Sequence, residues 1–124
     1  MESKSFFKSW GAERVASDEV LFRLWAPGQQ RVTLRLSGKD IEMTPQADGW
    51  FETQVAGVAA NAEYDYVLAD GTAVPDPAAR AQKAEVNGPS LVIDPDAYQW
   101  QNTSWKGRPW QESVVYELHI GTFT

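Results

Sequence analysis

The stretch "EYDYVLADGTAV" (Glu63–Val74) decides the fold class. Tyr64, Tyr66 and Leu68 recur at every second position, the period of a strand with one buried face, and Tyr and Val favour pleated structure. Asp70-Gly71 then suits a tight turn with positive φ angles, and "TAV" returns along the first arm, so the run predicts a β-hairpin.

The same alternation extends outward from that hairpin. In "VLFRLWAP" (Val20–Pro27), Val20, Phe22 and Leu24 alternate with Leu21, Arg23 and Trp25, and Pro27-Gly28 ends the run. "RVTLRL" (Arg31–Leu36) places Val32, Leu34 and Leu36 inward and Arg31, Thr33 and Arg35 outward. Ser37-Gly38-Lys39-Asp40 reads as a turn, and Ile41 and Met43 continue the inward phase. After Ala47-Asp48-Gly49, "WFETQV" sets Phe51, Thr53 and Val55 against Trp50, Glu52 and Gln54. "PDPAARAQKAEVNGPS" (Pro75–Ser90) reads as a long ordered loop with one helical turn around Ala78–Lys83, and Leu91–Ile93 as a last short strand. Helical periodicity is otherwise almost absent. The expected fold is all-β, an immunoglobulin-like sandwich of about seven strands.

Composition narrows the function classes. A 124-residue chain can bury a real core without staples, and with no cysteine it has neither a disulfide framework nor a thiolate metal site. This agrees with a reducing cytoplasm. The start, "MESKSFFKSWGAE", lacks the apolar core of a signal peptide, and no run approaches membrane-spanning length. A net charge of −6 without a basic cluster argues against nucleic-acid or anionic-membrane partners. The six Trp are the unusual number, because Trp serves cores, interfaces and sugar-stacking platforms alike.

Downstream of the sandwich the text changes. "YQWQNTSWKGRPW" (Tyr98–Trp110) has three Trp, Gly and Pro breaks and no alternation, and it reads as a connector pinned by its aromatics. "VVYELHIGTFT" (Val114–Thr124) is apolar on both alternation phases, the pattern of a strand covered on both faces. The expected division is a sandwich over 1–97, a connector over 98–113 and one orphan strand over 114–124. An unpaired strand is a template for edge pairing, so self-association through it, folding back or poor order are its three expected fates.

Several motifs together carry a family resemblance. "FRLWAP", "DGWFE", "YVLADGTAVPDPAAR", "NGPSLVIDP", "GRPW" and "YELHIGTF" resemble the N-terminal region of the maltooligosyltrehalose trehalohydrolases, a family of α-amylase-type glycoside hydrolases. Ala81 and Asn87 depart from the pattern, where the family tends to an aromatic and a His. The resemblance implies that 114–124 is the first strand of a (β/α)8 barrel, whose strands are apolar on both sides. It implies a parent enzyme that hydrolyses the α-1,4 bond next to the terminal trehalose unit of maltooligosyltrehalose, needing no cofactor or metal. The accessory module of a branching or debranching enzyme, or a stand-alone α-glucan-binding module, are the alternatives.

Retaining glycosidases need two carboxylates about 5 Å apart, and barrel enzymes place them at the ends of several strands. One strand cannot supply them. The resemblance therefore implies catalytic residues beyond Thr124 and none here; Asp76, Asp94, Asp48 and Asp70 read as turn residues. Trp50 points away from Phe51 and is the sugar-platform candidate, while Trp25 is expected in the core or an interdomain seam. Arg80 either bridges a carboxylate of the barrel or caps its own loop. With Gln82, Trp110, Tyr116, Glu117 and His119 it makes up the interdomain or substrate-cleft set, His119 alternatively being a packed, hydrogen-bonded residue. The implied partners are α-glucan or maltooligosyltrehalose and the chain's own barrel.

Overall fold

A computed structural model describes residues 8–123. Its strands are β1 (Gly11–Arg14), β2 (Val20–Trp25), β3 (Thr33–Leu36), β4 (Lys39–Glu42), β5 (Thr44–Pro45), β6 (Trp50–Val55), β7 (Glu63–Val67), β8 (Ala73–Val74) and β9 (Ser90–Leu91). One sheet runs β1-β2-β6-β5 and the other β4-β3-β7-β8, with β9 also on β7. Every pairing is antiparallel. Because β8 meets Tyr66 and Val67 while β9 meets Glu63 and Tyr64, the two short strands lie end to end along one side of β7. The long loop between them is thereby returned to the sandwich.

The core forms where the inward phases of the two sheets meet. Val20, Phe22, Leu24 and Phe51 from the first sheet face Leu34, Leu36, Tyr64 and Tyr66 from the second, with Val32, Met43, Val58 and Val92 closing the ends. Phe22 and Tyr64 pack edge to face with centroids 5.1 Å apart, and Tyr64 and Tyr66 do so at 5.9 Å. Such pairs add to the area they bury. Strand alternation therefore placed the core correctly along β2, β3, β6 and β7.

The turns are tighter than expected. β3 pairs with β4 from Leu36 to Lys39, so only Ser37 and Gly38 lie in the turn, both at positive φ (49° and 79°), the mirror-image geometry that matches strand twist. In the central hairpin only Gly71 has positive φ. Gly71 N–H donates to the Leu68 carbonyl at 3.0 Å, and the Asp70 carboxylate accepts from Thr72 N–H at 2.9 Å. Asp70 thus acts through its side chain rather than through an unusual backbone. Gly49 is required: it sits at φ +82°, and an added Cβ would lie 2.5 Å from the Pro27 Cβ.

Other expectations are corrected. β1 carries no alternation signal, since "GAER" has one apolar side chain larger than Gly, yet it pairs with β2 over four residues. No helical turn forms over Ala78–Lys83; a hydrogen-bonded turn, Ala79 N–H to Asp76 O at 3.0 Å, stands there instead. Trp25 does not fill the core. It ends β2 on the outer face, 49% exposed, with Nε1–H donating to the Asp48 carbonyl at 2.9 Å. Trp100, Trp105 and Trp110 are exposed, and Tyr98 meets Trp100 edge to face at 4.8 Å, so the connector's aromatics do not pin it to the sandwich.

Residues 114–123 make no ladder pairing and do not fold back; they run extended and exposed, with a short 3₁₀ turn at Ile120–Thr122. A strand is defined by partners for its N–H and C=O groups, and none of the described strands lies paired beside this segment. Of the expected divisions, residues 1–7 and Thr124 lie outside the described residues.

The interlock of Phe22 with Tyr64 predicts that Phe22→Ala, truncating a side chain with no exposure, destabilises the domain by about 3–5 kcal/mol. Urea unfolding followed by Tyr and Trp fluorescence measures it; a loss under about 1 kcal/mol would mean that the sheets are held some other way.

Candidate functional site

The polar centre of the molecule lies at Asp76, which is only 4% exposed. Tyr64 and Tyr66 occupy successive inward positions of β7, and both hydroxyls reach the same carboxylate oxygen, Oδ2, at 2.7 and 3.3 Å. Ala78 N–H donates to Oδ1 at 2.8 Å, and Asp76 N–H donates to Ser90 Oγ at 2.9 Å. A residue read as a solvated turn is therefore a buried acceptor for three donors. Burial pushes its carboxyl above the ordinary range, while the Ala78 amide, both tyrosine hydroxyls and the nearby Arg80 charge pull the other way. The same burial, with the carboxylate beside it, raises both phenols. All three donors converge on the anion and solvent is excluded, so this is a holding site rather than a reacting one. A signal for it existed in the sequence: two tyrosines on an inward phase need an acceptor for their hydroxyls.

Arg80 extends the same cluster. Its guanidinium donates to the Ala12 carbonyl and to Glu13 Oε2, the latter at 2.7 Å, so it ties the loop to edge strand β1. Its guanidinium is engaged by β1 rather than by its own loop. A planar fork suits this double contact. Gln82 does cap the loop: Nε2–H donates to the Val86 carbonyl at 2.7 Å.

Trp50 faces outward as alternation predicted, but its ring is not open. Arg23 Cζ lies 4.6 Å from its centroid, and Trp10 meets it edge to face at 5.0 Å. Arg23 is held there by Glu52 Oε1 at 2.5 Å and the Ser9 carbonyl at 2.9 Å. Trp25 is the direct cross-strand partner of Trp50, and Trp10 and Trp25 are each about half exposed. Three of the six Trp thus gather on one outer face, with a charged pair beside them.

The remaining expected residues are not brought to either cluster. Trp110, Tyr116, Glu117 and His119 are exposed along the extended C-terminal segment, where His119 Nδ1 lies 3.2 Å from Thr122 Oγ1. A groove of about 500 Å³ beside β3 and β7, lined by Arg35, Ser37, Asn61, Glu63, Tyr64 and Asp65, includes none of the expected site residues. Among the described residues no group of three or more His, Cys, Asp or Glu could hold a metal ion, and no helix is long and apolar enough to cross a membrane.

The carboxylate cluster carries a pH sign. Because the folded carboxyl titrates above the unfolded one, its stabilisation is full below the unfolded value and is lost as pH rises through the folded value. The stability difference between the native chain and Asp76→Asn is expected to be larger at pH 4 than at pH 7, measured by urea unfolding at both. Asp76→Ala, leaving two buried hydroxyls without their acceptor, is expected to cost about 2–4 kcal/mol at pH 7 and more at pH 4, by the same sign. A flat difference across that interval would place the ionisation elsewhere.

No family model matches the chain. Among curated proteins it is 42% identical over 110 residues to the malto-oligosyltrehalose trehalohydrolase of Rhizobium sp. strain M-11, covering 83% of this chain and 18% of that protein. It is 39% identical over 112 residues to the malto-oligosyltrehalose trehalohydrolase of Saccharolobus solfataricus, covering 90% of this chain and 20% of that one. Among solved structures, an alpha-amylase-family protein from Salmonella typhimurium superposes with a TM-score of 0.84 at 63% identity, covering 96% of this chain and 20% of that chain. The chain thus spans about a fifth of the length of the curated relatives it matches. Over 83–90% of its length the chain is thus similar to curated malto-oligosyltrehalose trehalohydrolases, and the solved structures it resembles are α-amylase-family enzymes.

Proposed function

We propose that this chain is the accessory β-sandwich of a glycoside hydrolase that releases trehalose from maltooligosyltrehalose by hydrolysing the α-1,4 bond next to the terminal trehalose unit. The observation that carries this reading is the 42% identity over 110 residues to a protein of that name. In this reading residues 98–113 connect the sandwich to a catalytic barrel and 114–124 form the barrel's first strand. The exposure of Val114, Tyr116, Leu118 and Ile120 on one phase and of Val115 and Phe123 on the other supports it, since apolar side chains on both phases suit an element covered on two faces. Trp110, Tyr116, Glu117 and His119 would then meet the barrel or line its cleft. The sandwich itself supplies structure and substrate positioning: the buried carboxylate of Asp76 is engaged in holding a loop, and the catalytic pair belongs to the barrel.

The test compares two lengths of polypeptide. The 124 residues alone are expected to release no trehalose from maltooligosyltrehalose, whereas the chain extended to its relatives' length releases it as the first product. Turnover by the short chain would defeat the accessory-domain reading; altered branching in place of trehalose would favour the branching or debranching alternative.

The outer face bearing the half-exposed Trp10 and Trp25 beside Trp50 favours a second reading, an α-glucan-binding module in which sugar displaces Arg23 from the Trp50 face, because flat aromatic rings stack on the apolar faces of glucose units. Millimolar maltoheptaose is expected to change Trp fluorescence in the native chain and not in Trp25→Ala/Trp50→Ala. An unchanged native spectrum would remove Trp50 as a sugar platform.

A further inference from the structure

The loop between β8 and β9 is held more firmly than its burial explains. At its base stands the Asp76 cluster, and Arg80 ties the next turn to β1. At its tip, Lys83 N–H donates to the Pro89 carbonyl at 2.9 Å and Gly88 N–H to the Glu85 carbonyl at 2.9 Å, while the Gln82 amide spans to the Val86 carbonyl at 2.7 Å. Ala84 sits at φ 65°, a conformation L residues with a side chain rarely adopt. Gly88 is required by space, since an added Cβ would collide with the Lys83 carbonyl oxygen. Lys83 itself pairs with Glu63 on β7.

These constraints do not serve core packing, because residues 83–87 are exposed. They freeze an exposed tip and hold up one apolar side chain on it, Val86, 76% exposed. A segment that is rigid without being buried gives its return on contact, because preorganisation removes the ordering cost of binding. Gln82, expected from the sequence to make an interdomain contact, spends its amide inside the loop, so contact falls to the residues it frames.

We propose that Val86 and Asn87, at the tip of this loop, are a preformed docking surface for the continuation of the same polypeptide beyond residue 124. This rests on the reading that a catalytic barrel follows. The occupant is argued from length: the relatives are about five times longer than this chain, which covers 18–20% of them. With Lys83 engaged by Glu63, the tip offers a small aliphatic knob flanked by the exposed Glu85 carboxylate on one side and a neutral amide on the other. The complementary surface is a shallow apolar depression rimmed by hydrogen-bonding groups, with a cation facing Glu85.

Amide hydrogen exchange at Val86 and Asn87 tests this, in the 124-residue chain and in the chain extended to its relatives' length. Exchange there is expected to slow by about tenfold or more in the longer polypeptide. Val86→Asp is expected to abolish that slowing while leaving the thermal midpoint of the 124-residue chain unchanged, and Gln82→Ala to reduce it by loosening the tip. Equal exchange in the two lengths overturns the proposal. So does slowing that appears in the short chain alone as its concentration rises, which would assign the tip to a second copy. Slowing in a long polypeptide that releases no trehalose would support the docking surface while removing the proposed activity, so the two failures are distinguishable.

Discussion

A carboxylate taken out of water must find donors, and the way Asp76 finds them organises much of this domain. Its two phenolic donors come from adjacent inward positions of β7, so the rings that fill the core also aim their hydroxyls at one point. Tyr66 additionally lies 3.4 Å from the Arg23 carbonyl on β2, which links the cluster to the opposite sheet. Arg80, four residues beyond Asp76, completes the link to β1. Core, both sheets and the long loop are thereby coupled through side chains of a single strand and a single loop. Gly11 shows how closely they fit: an added Cβ would come 3.1 Å from the Ala78 carbonyl and 3.3 Å from Asp76 Oδ2.

The tryptophans follow a different logic. The core cluster contains none of them. The space between the two sheets is filled by Phe, Tyr and aliphatic side chains, whereas Trp10, Trp25 and Trp50 gather outside the first sheet and the other three lie along the connector. Two of the outer indoles are engaged in this way: Trp25 Nε1–H donates to the Asp48 carbonyl, and Trp50 carries Arg23 over its face. Large amphipathic rings set on a surface in this way suit contacts with something beyond the sandwich, whether sugar or polypeptide. Trp100, Trp105, Trp110 and the apolar residues from Val114 onward extend that character to the end of the described chain.

Much of this was legible in the sequence. Period-two alternation identified β2, β3, β6 and β7 and the residues they bury, because inward positions of a sheet are chosen by burial, a property visible one residue at a time. The turn at Ser37-Gly38, the Gly71 position and the last short strand near Leu91 followed from local backbone preferences, and the likeness to the trehalohydrolases followed from motifs distributed over most of the chain. The outward direction of Trp50 was also correct.

Tertiary structure alone decided the rest, since it depends on partners distant in the chain. β1 exists because β2 offers an edge, not because "GAER" favours a strand. Asp76 changes from turn residue to buried acceptor because Tyr64, Tyr66 and Ser90, from 10 to 14 residues away, converge on it. Arg80 turns back to β1 across 67 residues. The run after Val114 is the converse: its composition states that it can be a strand, but hydrogen bonds need a neighbour, and pairing is a property of two segments that no single one can encode.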